Sequence, residues 1–298
     1  MNNYLNKFST EGIVGIKNKL SKKKSNQIFL DILERKKFGK HIFRSFKEFK
    51  KNPNYKKTNP GPTRNNLALK YNLDFIEKDK FFNQIVEKII GKKYEIVLKK
   101  FIVATPKNWI PNWVFKKAKT QLIPNLNNYI RPEFRDCTFF RGIDYHMDMI
   151  DHLNDKNKYI TLYVYLNKVS KDSSPINILK KSHIIGAETF PHNIKRIKKN
   201  YFNLNKKYLC KNLKLVGNPG DFFIWSSFTL HGTEPSSSKI PRISIRYTIK
   251  KKNSSKLKRS AIDSLYKSVK GKFFLKKVRN DINEKTFKQK KFKKILKS

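Results

Sequence analysis

The chain has 298 residues, enough for one sizeable domain with extensions or for two small ones. Hydrophobic residues make up 38%, with 23 Phe and 13 Tyr to fill a core, which excludes wholesale disorder. The formal net charge is +46, carried by 68 basic residues of which only 11 are Arg, leaving 57 Lys. Such a Lys-rich composition, also rich in Asn and Ile, is what an AT-rich genome would encode. Nucleic-acid readers favour Arg, whose planar fork matches phosphate and guanine, and Arg is scarce here. Two sources of the charge stay open: compositional drift, and an anionic partner such as nucleic acid, a membrane surface or an acidic substrate.

Cys137 and Cys210 form neither a disulfide framework nor a CxxC motif, which fits a reducing cytoplasm. The N-terminus lacks an apolar signal region. The longest mainly apolar run, Tyr159–Leu166, is too short to span a bilayer, so a soluble, cytoplasmic protein is expected.

Along the chain, Phe8–Ile16 reads as a turn and a short strand. Ser21 is a candidate N-cap for a helix with Ile28, Phe29, Ile32 and Leu33 on one face. Residues 51–66 contain NPGPTRNN and read as a loop. The clearest helix covers 73–90, where Phe82, Ile85, Val86, Ile89 and Ile90 repeat at helical spacing and Gly91 supplies the stop. Tyr94–Ala104 then has strand character, and Pro106–Pro132 is an irregular excursion with Trp109 and Trp113. Short β-type runs follow at Asp136–Arg141, Tyr159–Leu166, Ile176–Leu179, Leu213–Val216, Asp221–Trp225 and Ile243–Ile249. Together they predict a mainly β barrel or sandwich with flanking helices in front. Residues 250–298 hold 19 Lys/Arg against Asp263, Asp281 and Glu284, a net of +16 against +30 for the other 249 residues. A domain over 1–249 and a Lys-rich extension over 250–298 are therefore expected, the extension partly helical around Ile262, Leu265 and Val269 or disordered.

Six histidines are present, and a lone histidine is usually structural. The informative feature is Tyr145-His146-Met147-Asp148 directly after a strand, paired with Leu230-His231-Gly232 at the end of another. In extended backbone, side chains at i and i+2 point to the same side, so His146 and Asp148 can meet one metal. With His231 they would form a facial triad of two neutral nitrogens and one carboxylate oxygen, which suits Fe(II) and leaves three positions open. Eleven residues beyond His231 begins an alternating strand, Arg242-Ile-Ser-Ile-Arg246. Arg242 and Arg246 share a face with Ser244, and an arginine fork could bind a carboxylate there through two parallel hydrogen bonds. The bland alternative is that either arginine pairs with a surface acid. Asp144, Asp151 and His152 flank the metal pair without the required offset, and His152 reads as a rim residue. Trp109, Trp113 and Trp225 read as core residues, the first two in a segment where lids occur.

These residues resemble the phytanoyl-CoA dioxygenase family of Fe(II)/2-oxoglutarate oxygenases. The likeness runs through His146-Met-Asp148, the strand Thr161-Leu-Tyr-Val-Tyr-Leu166 and the segment Ser174-Pro-Ile-Asn-Ile-Leu-Lys-Lys-Ser-His183, which lacks the family's usual Gly and Pro. It continues through Gly220-Asp221-Phe-Phe-Ile-Trp225 and the eleven-residue step from His231 to Arg242. It covers roughly residues 8–249. The resemblance implies a double-stranded β-helix, a cupin-like jelly roll. It implies iron on His146, Asp148 and His231, and the 2-oxoglutarate C5 carboxylate on Arg242. Thr161 is a further candidate for 2-oxoglutarate, and Arg246 is a candidate by its shared face. The implied reaction uses O₂ and 2-oxoglutarate to hydroxylate a C–H bond of a small metabolite, with succinate and CO₂ as by-products. Some members halogenate instead, with Gly or Ala in place of the metal carboxylate, and Asp148 favours hydroxylation. His183 is expected to brace the pocket, with Pro106–Pro132 and Gly186–Asn212 as its walls. The rival reading is a basic jelly-roll binding protein that holds nucleic acid or anionic lipid through residues 250–298. A third, a cupin-type dioxygenase or isomerase without 2-oxoglutarate, leaves Arg242 unused.

Overall fold

A computed structural model describes residues 1–51, 66–118, 125–252 and 260–278. The loop expected at 51–66 and the end of the Lys-rich extension lie largely outside these residues.

The helices are α1 (Asn2–Glu11), α2 (Lys22–Lys36), α3 (Phe46–Lys51), α4 (Asp74–Glu77), α5 (Lys80–Ile90), α6 (Asn112–Ala118) and α7 (Ala261–Ser268). The strands are β1 (Ile13–Ile16), β2 (Tyr94–Ala104), β3 (Thr138–Phe140), β4 (Ile143–His146), β5 (Tyr159–Tyr165) and β6 (Ile176–Leu179). They continue as β7 (Ile194–Lys198), β8 (Tyr201–Leu204), β9 (Tyr208–Leu215), β10 (Phe222–Ser226), β11 (His231–Thr233) and β12 (Arg242–Lys251). One six-stranded sheet has the order β1-β10-β5-β12-β2-β3 and the other β4-β11-β6-β9-β8-β7. Side chains from both meet in one buried cluster, with Ile13, Tyr165, Phe223 and Trp225 from the first facing Ile176, Ile178 and Leu215 from the second. Two facing, mainly antiparallel sheets make this the expected jelly roll.

The larger core lies outside the first sheet, under the helices. Val14, Leu162, Val164, Ile224, Ile243 and Ile245 turn outward onto α1, α2, α5 and α7. The predicted 73–90 helix is split at Asp79, whose carboxylate caps α5 by accepting from the Phe82 N–H at 2.8 Å. All five predicted apolar positions of α5 are buried, each contributing about 1.5–3 kcal/mol as an upper estimate. Ser21 caps α2 through Lys24 N–H, as its residue type predicts. The sequence reading missed α1, which replaces the turn read at its position; its left-handed C-cap at Gly12 (φ 78°) leads directly into β1. Glycine suits that φ, and an added Cβ would stand 2.5 Å from the His183 ring.

Because helices cover the outer face, the first sheet alternates inside-out. β12 sends Ile243, Ile245 and Tyr247 outward into the apolar core. Arg242, Ser244, Arg246 and Thr248 alternate with these and turn inward, all buried. The polar stripe therefore lines the barrel interior, and the site is built there.

The expected boundary at residue 250 falls inside β12, and part of the extension joins the body. Ile262, Leu265 and Tyr266 of α7 are buried in the core shared with α1 and α5. Asp263 closes a capping box with Ser260 and pairs with Lys158 at 2.7 Å and Lys251. The segment after α7 runs over the 184–190 loop, where Lys270 N–H donates to Ile184 C=O and Ala187 N–H to Lys272 C=O. It also reaches the loop after the metal pair, through Asn154 N–H to Leu275 C=O at 2.7 Å.

Candidate metal centre

His146 ends β4 and Asp148 begins a 3-10 turn over Asp148–Asp151. Between them Met147 stays extended (φ −108°, ψ 141°), which puts the two neighbouring side chains on one side. Antiparallel pairing of β11 with β4 sets His231 directly opposite His146, with ring centroids 4.3 Å apart. His231 Nε2 is 3.6 Å from Asp148 Oδ2. Among the described residues these three form the one cluster of His, Cys, Asp or Glu able to hold a metal, with ligand atoms within 4.8 Å of each other.

The orientation of the two imidazoles fits a metal. His146 Nδ1 lies 2.9 Å from the Asp144 carbonyl and His231 Nδ1 3.0 Å from the Thr229 carbonyl. A carbonyl can only accept, so each Nδ1 carries the proton and each Nε2 keeps its lone pair. Burial, and then His231, pull His146 down to about 4, so it is a neutral ligand at pH 7. Burial would raise the Asp148 carboxyl, but the Arg246 guanidinium beside it holds it well below the usual range.

Asp148 is also heavily hydrogen-bonded. Trp225 Nε1 donates to Oδ2 at 3.2 Å and the Thr161 hydroxyl donates to the same oxygen. These donors are direct partners across β10 and β5. Arg246 Nη2 donates to Oδ1 at 2.7 Å and reaches Asp151 Oδ2 at 3.3 Å. Thr161 and Arg246, expected as cosubstrate candidates, are thus placed against the metal carboxylate.

Arg242 is different. It is 2% exposed and forms no ion pair among the described residues. Its Nη1 donates to Ser244 Oγ at 3.2 Å, its carbon lies 5.9 Å from the Tyr165 ring centre, and its Nε has no acceptor. A buried guanidinium without an anion is costly, and its free donors call for a carboxylate. Tyr163 and Tyr165 beside it stay neutral, since burial pushes both phenols up, Tyr165 to about 12.

Lys100 was not singled out by sequence reasoning. On β2 it pairs in register with Arg246 and is 6% exposed. Strand alternation with outward-facing Phe101 and Val103 could have found it. The other candidates fall away from the triad. Asp144 contributes its carbonyl, Asp151 takes Arg246, and His152 stacks on Tyr159 at 3.8 Å. His183 is buried beside Gly12, and Trp113 packs with Phe46, Phe49 and Tyr129. Trp225, read as core, is both core and a donor to the site.

The sequence matches no protein-family model and no curated protein. Similar solved structures include the non-heme alpha-ketoglutarate-dependent epimerase SnoN of nogalamycin biosynthesis, at 11% identity and TM-score 0.49, covering 83% of this chain and 81% of that one. The carbocyclase SnoK from the same biosynthesis has 11% identity and TM-score 0.49, covering 84% and 83%. EvdO2 from Micromonospora carbonacea var. aurantiaca, complexed with 2-oxoglutarate, has 12% identity and TM-score 0.47, covering 87% and 94%. Among the described residues no helix is long and apolar enough to cross a membrane.

Proposed function

We propose that the protein is an Fe(II)/2-oxoglutarate-dependent oxygenase that hydroxylates a C–H bond of a small metabolite. The observation that carries this reading is Arg242, a buried guanidinium without an anion on the inward face of β12, the face from which Arg246 reaches Asp148 of the His146–Asp148–His231 triad. A facial triad leaves positions for a keto acid and O₂, and Arg242 offers the far carboxylate its fork.

His146 and His231 would hold the iron through Nε2, each ring locked by its backbone carbonyl, and Asp148 would add the anionic oxygen. Thr161, Trp225 and Arg246 fix that carboxylate so that it cannot turn away. When bound, iron and 2-oxoglutarate supply O₂ activation, with succinate, CO₂ and a hydroxylated product as the outcome. Trp225, Tyr163 and the apolar inner cluster exclude bulk water around the site.

Anaerobic addition of Fe(II) and 2-oxoglutarate should produce the weak visible charge-transfer band of an iron–keto-acid chelate. If no band forms, with iron bound elsewhere or not at all, the oxygenase reading is lost.

A further inference from the structure

Counting charge in the barrel interior shows more than the metal and cosubstrate can balance. Arg242, Arg246 and Lys100 bring three buried positive charges, against the buried Asp148 and, at the rim, the exposed Asp151 that Arg246 also reaches. Adding a divalent iron and a 2-oxoglutarate dianion to these leaves about one net positive charge in a low-dielectric space. Each of the other charges has a partner. Arg246 has both aspartates, and Arg242 has the C5 carboxylate under the oxygenase reading.

Lys100 is the remainder. Its ammonium has no hydrogen-bond acceptor and no ion pair among the described residues, although only 6% of the residue is exposed. It stands on the inner face of β2, opposite Arg246 in register, within the electrostatic reach of Arg246, Asp151 and Asp148. Burial foremost, and then Arg246, pull it down to about 8, with Asp151 and Asp148 opposing from a distance. A purely structural role would be filled better by an apolar residue, as at Ile102 and Ala104 on the same face.

Building on the oxygenase reading, we propose that Lys100 is a substrate-anchoring residue and that the substrate is an acid, presenting a carboxylate or phosphate to it beside the metal. The three ammonium donors can meet either group, and the anion brings the interior close to neutrality.

The test uses the full chain, anaerobic, with Fe(II) and saturating 2-oxoglutarate, following the visible band. Hexanoate, hexyl phosphate and the neutral hexanamide are titrated in separate arms, so the two acids distinguish carboxylate from phosphate. At least one acid should bind about tenfold or more tightly than the amide, the size of one charge-assisted hydrogen bond. Lys100→Met should remove that preference while leaving the 2-oxoglutarate titration within about threefold, since Arg242 is intact. Lys100→Arg keeps the charge and should keep the preference, separating loss of the anchor from loss of folding. If neither acid outbinds the amide in the unaltered protein, the proposal fails. A tenfold or larger 2-oxoglutarate defect in Lys100→Met would assign Lys100 to the cosubstrate and overturn it too. Absence of the band in the unaltered protein is a different result: it removes the oxygenase reading and this inference with it.

Discussion

Arg246 donates to the Asp148 carboxylate across 2.7 Å inside the barrel, with side-chain exposures of 8% and 4%. The metal-site carboxylate is therefore already compensated by a fixed cation before any metal arrives. Breaking such a pair from one side typically costs about 3–5 kcal/mol, because the survivor stays buried and uncompensated. Arg246→Met should destabilise the metal-free protein by that order. Adding Asp148→Leu to it should cost much less than the two single losses summed. Urea denaturation of all four forms measures the coupling, and additivity within about 0.5 kcal/mol would mean the pair is not a working unit.

The same bond shapes the choice of variant at Asp148. Removing the carboxylate altogether would strand Arg246, so Asp148→Asn is the cleaner probe because its carbonyl still accepts from Nη2. We expect it to fold and to lose metal affinity by at least the roughly 10–100-fold seen for outer-shell changes. Co(II) titration beside circular dichroism checks both halves. Wild-type metal affinity in this variant would place the anionic ligand elsewhere.

Arg242 separates the oxygenase from a metal site that does without 2-oxoglutarate. Truncating one partner of a buried, hydrogen-bonded charge pair costs about 2–5 kcal/mol. Arg242→Ala should raise the 2-oxoglutarate requirement by roughly 30-fold or more with metal affinity near normal. Arg242→Lys keeps the charge and loses the fork, so an intermediate defect is expected. Arg246→Ala should instead disturb metal binding first, through Asp148. Cosubstrate dependence unchanged in the Arg242 variants would remove the assignment.

Much of this site could be read from spacing because period-2 backbone converts sequence offset directly into direction. His146 with Asp148, and Arg242 with Ser244 and Arg246, needed only that rule. What spacing could not give was which inward side chains touch. Arg246 reaches Asp148 and Arg242 does not, since that depends on how far β12 slides past β5, a register set by pairings such as Arg246 with Tyr163. Lys100 stayed hidden for another reason: among 57 lysines, one buried lysine has no compositional mark. α7 was blurred likewise, its apolar stripe lying in a stretch with a net charge of +16. The missed strand β7 is mostly exposed Lys and Arg, and β8, though Phe202 and Leu204 alternate inward, is only four residues long, too short for its period to stand out.

Acid should weaken the fold through buried histidines. His183 is 1% exposed, and burial, with Lys181 adding to it, pulls it down to about 4. An unfolded chain takes up that proton near pH 6.5, so between about 6.5 and 4 the unfolded state binds more protons than the folded one. Stability is fully present above that window and falls as pH drops through it, by up to about 3 kcal/mol for this residue. Urea unfolding at pH 7 and 4.5 should show the loss, shared with His146 in the metal-free protein. His183→Gln should be less sensitive to pH over that interval. An equal slope in the variant would mean that His183 is protonated in the folded state.

The C-terminal stretch holds a part that the fold needs, α7 and the segment that follows it to Val278. α7 buries Ile262, Leu265 and Tyr266 against α1 and α5, and each aliphatic side chain is worth about 1.5–3 kcal/mol when fully buried. Asp263 adds ion pairs to Lys158 and Lys251, and the segment after α7 holds the 154 and 184–190 loops through backbone hydrogen bonds. A chain ending at Lys252 should therefore lose several kcal/mol, about the order of a small domain's whole margin, and melt far earlier or fail to fold. Ending the chain at Val278 instead removes none of these contacts. That shorter protein should keep its melting temperature and its metal and 2-oxoglutarate binding. If it also loses affinity for an anionic polymer, with a flatter salt dependence, the end of the chain supplies those phosphate contacts. A Lys252-terminated protein that melts like the full chain would show that α7 is an appendage, and one that folds but no longer binds 2-oxoglutarate would tie the segment after α7 to the shape of the metal loop.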